Sequence, residues 1–175
     1  MTQVFQVVPG QQGRFSYYIT SLSWGELDNI ARTASEMFGG SSELARVESR
    51  SGQKRLTEYL LGSPSRFSGP VTLVPFGYDD EPALGEFEPG PPGAGLLRFP
   101  EPVRMLAADG ANRLAAARAA MAAQPTLAKD AVPVVIVPCR SPEEALGLAR
   151  DLSRQTAPVR PGGRGGTSAV AGEGS

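Results

Sequence analysis

The stretch that decides the fold is VRMLAADGANRLAAARAAMAAQ, residues 103–124. Its first five residues form a short apolar run typical of a β-strand, and Asp109-Gly110 is a turn dipeptide. The alanine-rich run at 111–124 is composed largely of strong helix formers. The stretch therefore predicts a strand, a tight turn and a helix in direct succession.

Downstream, the sequence predicts a second strand and a second helix. Residues 132–139, VPVVIVPC, form a continuous run rich in β-branched residues, as in a buried strand. Ser141 then stands at an N-cap position, Pro142 at the first helical position, and two glutamates face the positive end of the helix dipole. This helix is expected to end near Arg154.

Upstream, QVFQVV and RFSYYI (residues 3–8 and 14–19) predict an antiparallel pair, joined by a turn at Pro9, Gly10 and Gly13. Ser23 and Glu26 form a capping-box signature, and apolar residues continue at helical spacing to Met37, before Gly39-Gly40. One capped helix is therefore expected between Ser23 and Gly39.

A second helical pattern begins at Ser41 or Ser42, is interrupted at Ser51-Gly52 and continues to Gly62; residues 71–76 then predict a buried strand. No lysine or arginine occurs from Phe67 to Leu97, and acidic residues accumulate before PGPPGAG. Because proline and glycine disfavour helices and interior strands, residues 77–95 are interpreted as an exposed acidic loop.

These patterns predict an α/β (or α+β) fold, with a mixed β-sheet of short strands and packed helices. Residues 1–156 are expected to form a single domain. The last part, residues 157–175, consists mainly of glycine, serine, alanine and proline with two arginines. Such a composition cannot offset its ordering entropy, so a disordered Gly-rich tail is expected.

Composition excludes several classes of chemistry. The 175 residues contain no histidine, so Ser-His-Asp and Cys-His nucleophiles and His-ligated metals are absent, and neither a catalytic nor a metal-binding residue is assigned. With Cys139 alone there is no intrachain disulfide, and this thiol is interpreted as a small buried apolar residue rather than a reactive group. No membrane span or signal peptide is predicted, and a cytoplasmic location is expected.

The Asp-Gly turn before the alanine-rich helix has the outline of an anion site. A helix N-terminus offers free backbone N–H groups, and the Arg113 guanidinium can bind a phosphate through two hydrogen bonds. Gly110 would let a ligand approach the backbone, and Asp109 could cap the helix or accept from a ribose hydroxyl. The alternative is an ordinary turn, with Asp109 as N-cap and Arg113 as a surface charge.

Basic residues recur every four positions in the second helical pattern. The net charge is −1, so a nucleic-acid interface must depend on a local patch. A continuous helix would place these residues along one side, although such a strip is commonly a solvated face. The candidate auxiliary patch comprises Arg46, Arg50, Lys54, Arg55, Arg118 and Arg154.

DGANRLAAARAA (residues 109–120) and the segment at 131–159 resemble the DGQHR-type motif of the DndB family of the DNA sulfur-modification (phosphorothioation) system. A segment at 53–60, QKRLTEYL, and the Tyr17-Tyr18 step agree in order, so the similarity spans residues 3–160. Ala111-Asn112 replaces the family's Gln-His, and Ser153 replaces an asparagine in the last helix. The same box also resembles that of the ParB and sulfiredoxin superfamily, whose glycine and arginine hold nucleotide phosphates.

The resemblance implies a ParB/sulfiredoxin-like arrangement around residues 103–155 and a non-catalytic, DNA-binding regulator, with transcriptional control as one form of that role. It assigns phosphate, nucleotide or DNA contacts to Asp109, Gly110, Asn112 and Arg113. DNA and other proteins of the modification system are the implied partners. Two alternatives stay open, a small nucleotide-binding or nucleotide-hydrolysing protein and a protein-interaction scaffold; a nucleotide cofactor and an oligomeric state stay open as well.

Overall fold

The computed structural model describes residues 2–40, 42, 45 and 49–156. Arg46 and the predicted tail at 157–175 lie outside the described residues. The strands are β1 (Gln3–Gln12), β2 (Phe15–Ser23), β3 (Ala31–Arg32), β4 (Val71–Gly77), β5 (Glu86–Pro89), β6 (Gly95–Phe99), β7 (Val103–Asp109) and β8 (Ala131–Ile136). The helices are α1 (Trp24–Ile30), α2 (Ala34–Phe38), α3 (Arg50–Gly62), α4 (Ala111–Ala123) and α5 (Pro142–Thr156), with a 3-10 helix at Pro125–Lys129.

The strands form one sheet in the order β3-β7-β4-β8-β2-β1-β6-β5. Two neighbouring pairs, β3 with β7 and β4 with β8, are parallel, and the other pairs are antiparallel. The prediction of a mixed sheet with packed helices is therefore confirmed.

Helices cover both faces of the sheet on the side of β7, β4 and β8. Because side chains alternate along a strand, Leu73 and Met105 face α1, α3 and α4, whereas Phe76 and Leu106 face α2 and α5. The two faces have separate hydrophobic clusters. We call them the α3–α4 face and the α2–α5 face.

The local signals for several elements are confirmed. β1 and β2 are antiparallel, and the Ser23–Glu26 capping box is present, with the Ser23 hydroxyl accepting from the Glu26 N–H at 3.1 Å. The Ser141 hydroxyl likewise accepts from the N–H of Glu144 at 3.1 Å, at the start of α5. In the hairpin, however, Pro9 and Gly10 lie within β1 rather than in the turn. The aromatic ring of Tyr17 covers Gly10, so the glycine accommodates a cross-strand neighbour.

The single helix expected from Ser23 to Gly39 is wrong. α1 ends at Ile30, Ala31 and Arg32 pair in parallel with β7, and Thr33 caps the separate helix α2. Helical spacing misleads here because Leu27 contacts the cluster of the α3–α4 face, whereas Ala34 contacts that of the α2–α5 face. The chain thus passes around the sheet edge at β3.

The interpretation of 77–95 as a loop is wrong in part, because β5 forms an edge strand paired with β6. Phe87 provides the packing: its ring lies over Gly95 and 5.4 Å from the Tyr18 ring. Pro89 is tolerated at the end of an edge strand, where one side of the backbone needs no partner. Within the described residues, none of the helices is long and apolar enough to cross a membrane.

Candidate functional site

The turn between β7 and α4 is built around Gly110. This residue is the N-cap of α4 and has φ +89° and ψ 18°, a left-handed conformation that favours glycine. A Cβ atom there would lie 3.2 Å from Val71 Cγ2 and 3.3 Å from Arg113 Nη1. Both the backbone conformation and the neighbouring atoms therefore select glycine.

Asp109 does not cap α4, so that interpretation is wrong. It is the last residue of β7, and the N-cap position of α4 has no side-chain hydrogen bond. Its carboxylate instead lies 3.8 Å from Arg113 Nη1. Because the strand continues through Asp109, the N-cap position of α4 is occupied by Gly110 instead.

Arg113 connects the first turn of α4 to the start of β4. Its Nη1 donates a 2.8 Å hydrogen bond to the carbonyl of Pro70, and the side chain is 27% exposed. The guanidinium is therefore anchored at one side and partly open to solvent. An anchored but accessible guanidinium is suited to contact a phosphate without losing much side-chain entropy.

Asn112 joins two segments that are far apart in the sequence. Its Oδ1 accepts hydrogen bonds from the Ser49 N–H at 2.9 Å and from Gln53 Nε2 at 3.2 Å. The start of α3 is thereby held against the start of α4. Sequence patterns could not show that Ser49 and Gln53 contact Asn112, because these contacts span about sixty residues.

α3 begins at Arg50, with Ser49 as N-cap, and continues through Gly52, so the helix boundary lies at Ser49 rather than at the predicted Ser51-Gly52. These residues lie in the first turn, where the Ser49 hydroxyl accepts from the Gly52 N–H at 3.2 Å. Leu60 is buried on the inner side of the helix. The helix leaves three basic residues of the predicted patch exposed, namely Arg50, Lys54 and Arg55.

Arg118 does not belong to an exposed basic patch. Its guanidinium donates to Asp28 at 2.6 Å, to Glu36 and to the carbonyl of Ala31 at 2.9 Å. Burial alone would lower the pKa of Arg118, but the hydrogen bonds to the two carboxylates outweigh it and the pKa is raised. We call Arg118, Asp28 and Glu36 the Arg118 cluster; it joins α4 to α1 and α2.

Arg154 lies apart from the other basic residues. It is exposed in the last turn of α5, on the opposite face of the sheet from α3 and α4. The structure thus brings Arg50, Lys54, Arg55 and Arg113 to the joined helices α3 and α4 and separates them from Arg154.

Cys139 is buried three residues after β8, within the cluster of the α2–α5 face. Burial raises the pKa of the thiol to about 11, with a smaller contribution from Glu144, so it is neutral at physiological pH. Its position agrees with a packing role. No group of three or more cysteine, aspartate and glutamate side chains in the described part of the chain is placed to hold a metal ion.

The fold and this site define a mixed α/β protein in which a strand, a left-handed glycine and an arginine-bearing helix meet a second, basic helix. The model of the DndB family, described as DNA-sulfur modification-associated, matches residues 5–162. The chain belongs to this family, which confirms the resemblance seen in the DGANR segment. Searches of curated proteins and of solved structures gave no match.

Proposed function

We propose that this protein is a DNA-binding regulator associated with DNA sulfur modification. Membership of the DndB family supports the association with that modification system. The DNA contact is assigned to α3 and the first turn of α4. Other proteins of the system are proposed as further partners, and residues 1–156 are proposed to act as one domain.

The observation that carries the proposal is the contact between the two motif segments. Asn112 of the DGANR turn binds the backbone of Ser49 and the side chain of Gln53, at the start of the QKRL segment. This contact fixes the position of α3 beside the turn. The basic side chains of α3 therefore extend from a helix held by the motif itself.

The helix termini add to the positive potential. α1, α2 and α5 each have an acidic residue in the first turn, whereas α3 and α4 have none. Helix N-termini are positive and are commonly neutralised by such residues. The adjacent starts of α3 and α4, with Arg50 and Arg113, are thus suited to phosphate groups.

Fluorescence anisotropy with a labelled random-sequence duplex tests the assignment. In low salt we expect measurable binding, and the double variant Lys54→Ala/Arg55→Ala should weaken it similarly for different duplex sequences. Each lost phosphate contact reduces the salt slope by about 0.9, so the slope should fall by about 2. The matched control is Arg140→Ala/Arg154→Ala, which removes two exposed arginines near α5 and should leave the affinity almost unchanged.

Two results would contradict the proposal: no duplex binding by the wild-type protein at low salt, or equal losses in the two double variants. Nucleotide binding at the Gly110–Arg113 turn is the alternative function, and it stays a prediction. It is tested in the same samples by thermal shift with ATP and CTP. A response to nucleotide that is lost in Arg113→Ala, with no binding of duplex, would favour that alternative.

A further inference from the structure

An apolar cleft of about 410 Å³ lies on the α2–α5 face, on the opposite side of the sheet from the proposed DNA contact. Clefts of this size are large enough to bury one or two apolar side chains of a ligand. Its apolar lining comes from α2, β4, β7 and α5: Phe38, Phe76, Leu106, Pro142, Ala145 and Leu146.

Two aromatic rings meet in this cleft. The rings of Phe38 and Phe76 pack edge to face, with centroids 5.8 Å apart and an interplanar angle of 71°. Phe76 is buried, whereas Phe38 is 38% exposed. Phe38 therefore extends the buried cluster to the surface, and aromatic side chains packed in pockets are frequent anchors of protein interfaces.

Exposed acidic residues lie at or next to the residues that line the cleft. Asp80 lines it, Asp79 and Glu81 flank Asp80, and Glu143 follows Pro142 at the start of α5; all four are exposed. Arg104 binds Asp80 and lies 5.1 Å from the centroid of the Tyr78 ring. This pairing compensates the charge of Asp80, and three exposed carboxylates remain beside the described lining of the cleft.

We propose that the cleft binds a peptide segment of a partner protein, in which one or two apolar side chains are flanked by lysine or arginine. The apolar side chains enter between Phe38 and Leu146, and the basic residues contact the acidic rim. An apolar centre with an opposite charge at its rim is the usual arrangement of a specific protein interface. This inference does not depend on DNA binding, because the two surfaces lie on opposite faces of the sheet.

Selection from a random dodecapeptide library displayed on phage tests the proposal. The immobilised full chain is the bait, and peptides that also bind the variant Leu146→Asp are removed. We expect the remaining peptides to share an apolar centre with flanking lysine or arginine. By fluorescence polarisation, a selected peptide should bind about tenfold more weakly to Asp80→Asn/Glu143→Gln, whose apolar lining is intact.

The matched control is Glu86→Gln/Glu88→Gln, which removes the same charge from the edge strand β5 and should not change peptide affinity. The proposal is overturned if the selected peptides are acidic or uncharged, if no peptide discriminates against Leu146→Asp, or if the two charge variants lose equal affinity. It is also overturned if sedimentation shows a dimer that Leu146→Asp dissociates, since a second copy would then occupy the cleft.

Discussion

The Gly110–Arg113 turn and the Arg118 cluster lie on the same helix, but they use arginine in different ways. In the turn, Arg113 donates to a carbonyl and keeps a looser 3.8 Å contact with Asp109. In the cluster, Arg118 binds two carboxylates and a carbonyl. The fold thus neutralises Arg118 more completely than Arg113, which leaves Arg113 the better placed of the two to bind a ligand.

The partners of the two arginines explain this difference. Asp28 and Glu36 precede Arg118 by more than eighty residues, and they reach it because the chain turns around the sheet edge at β3. Arg113 points instead towards the start of β4, where Pro70 offers a neutral acceptor. We therefore expect the cluster to govern stability and the turn to govern binding.

The largest effect is expected for Arg118→Ala. Removing the cation takes away three hydrogen bonds and leaves Asp28 and Glu36 close together at a partly exposed position, which should cost about 2 to 3 kcal/mol of unfolding free energy. Urea denaturation measures this loss, and duplex binding of the folded protein should be unchanged. A double-mutant cycle with Asp28→Ala should show strong non-additivity. Loss of DNA affinity without loss of stability would reverse the roles assigned to the two regions.

Gly110→Ala is expected to cost about 2 kcal/mol, because it combines a left-handed backbone with the close contact to Val71. The matched control is Gly147→Ala in α5, where a Cβ would meet open space and the helix should gain up to about 1 kcal/mol. Thermal and urea denaturation measure both changes. An equal effect at both positions would show that the turn does not need glycine.

Sequence patterns predicted what short-range chemistry determines. The capping box at Ser23, the cap at Ser141, the strand before Asp109 and the alanine-rich helix all depend on neighbours within a few residues, and the structure has them. The patterns failed where distant segments decide the outcome. Helical spacing could not show that Leu27 and Ala34 lie on opposite faces of the sheet. Nor could the acidic composition of residues 77–95 show that Phe87 packs on Tyr18 and that its segment pairs with β6 as an edge strand.

The same limit applies to the candidate site. The DGANR turn was recognisable from its residues, whereas the two hydrogen bonds that Asn112 accepts from Ser49 and Gln53 depend on how two helices pack. The basic patch predicted from the sequence grouped Arg118 and Arg154 with the residues of α3. The structure separates both from α3, because Arg118 is bound by carboxylates and Arg154 lies on the opposite side of the sheet.

A smaller effect on stability is expected for Asn112→Ala, which removes the shared acceptor of Ser49 and Gln53. The loss should be about 1 kcal/mol, the usual net value of such hydrogen bonds. Asn112→Asp keeps the accepting oxygen and adds a negative charge beside the basic helix. It should therefore retain most of the stability yet bind duplex more weakly. Equal duplex affinity for Asn112→Asp and wild type would show that the turn takes no part in the proposed DNA contact.

The smallest effect on stability, and the sharpest test of the comparison, is expected for Arg113→Ala. Its hydrogen bond to Pro70 lies at a partly exposed position where water can replace the lost donor, so unfolding should change by less than about 1 kcal/mol. If the guanidinium contacts a phosphate, anisotropy should nevertheless show weaker duplex binding and a salt slope reduced by about 1. Arg118→Ala provides the opposite pattern from the same helix, with lower stability and unchanged affinity. Should Arg113→Ala leave both the affinity and the salt slope unchanged, the turn is a structural junction and the DNA contact is confined to α3.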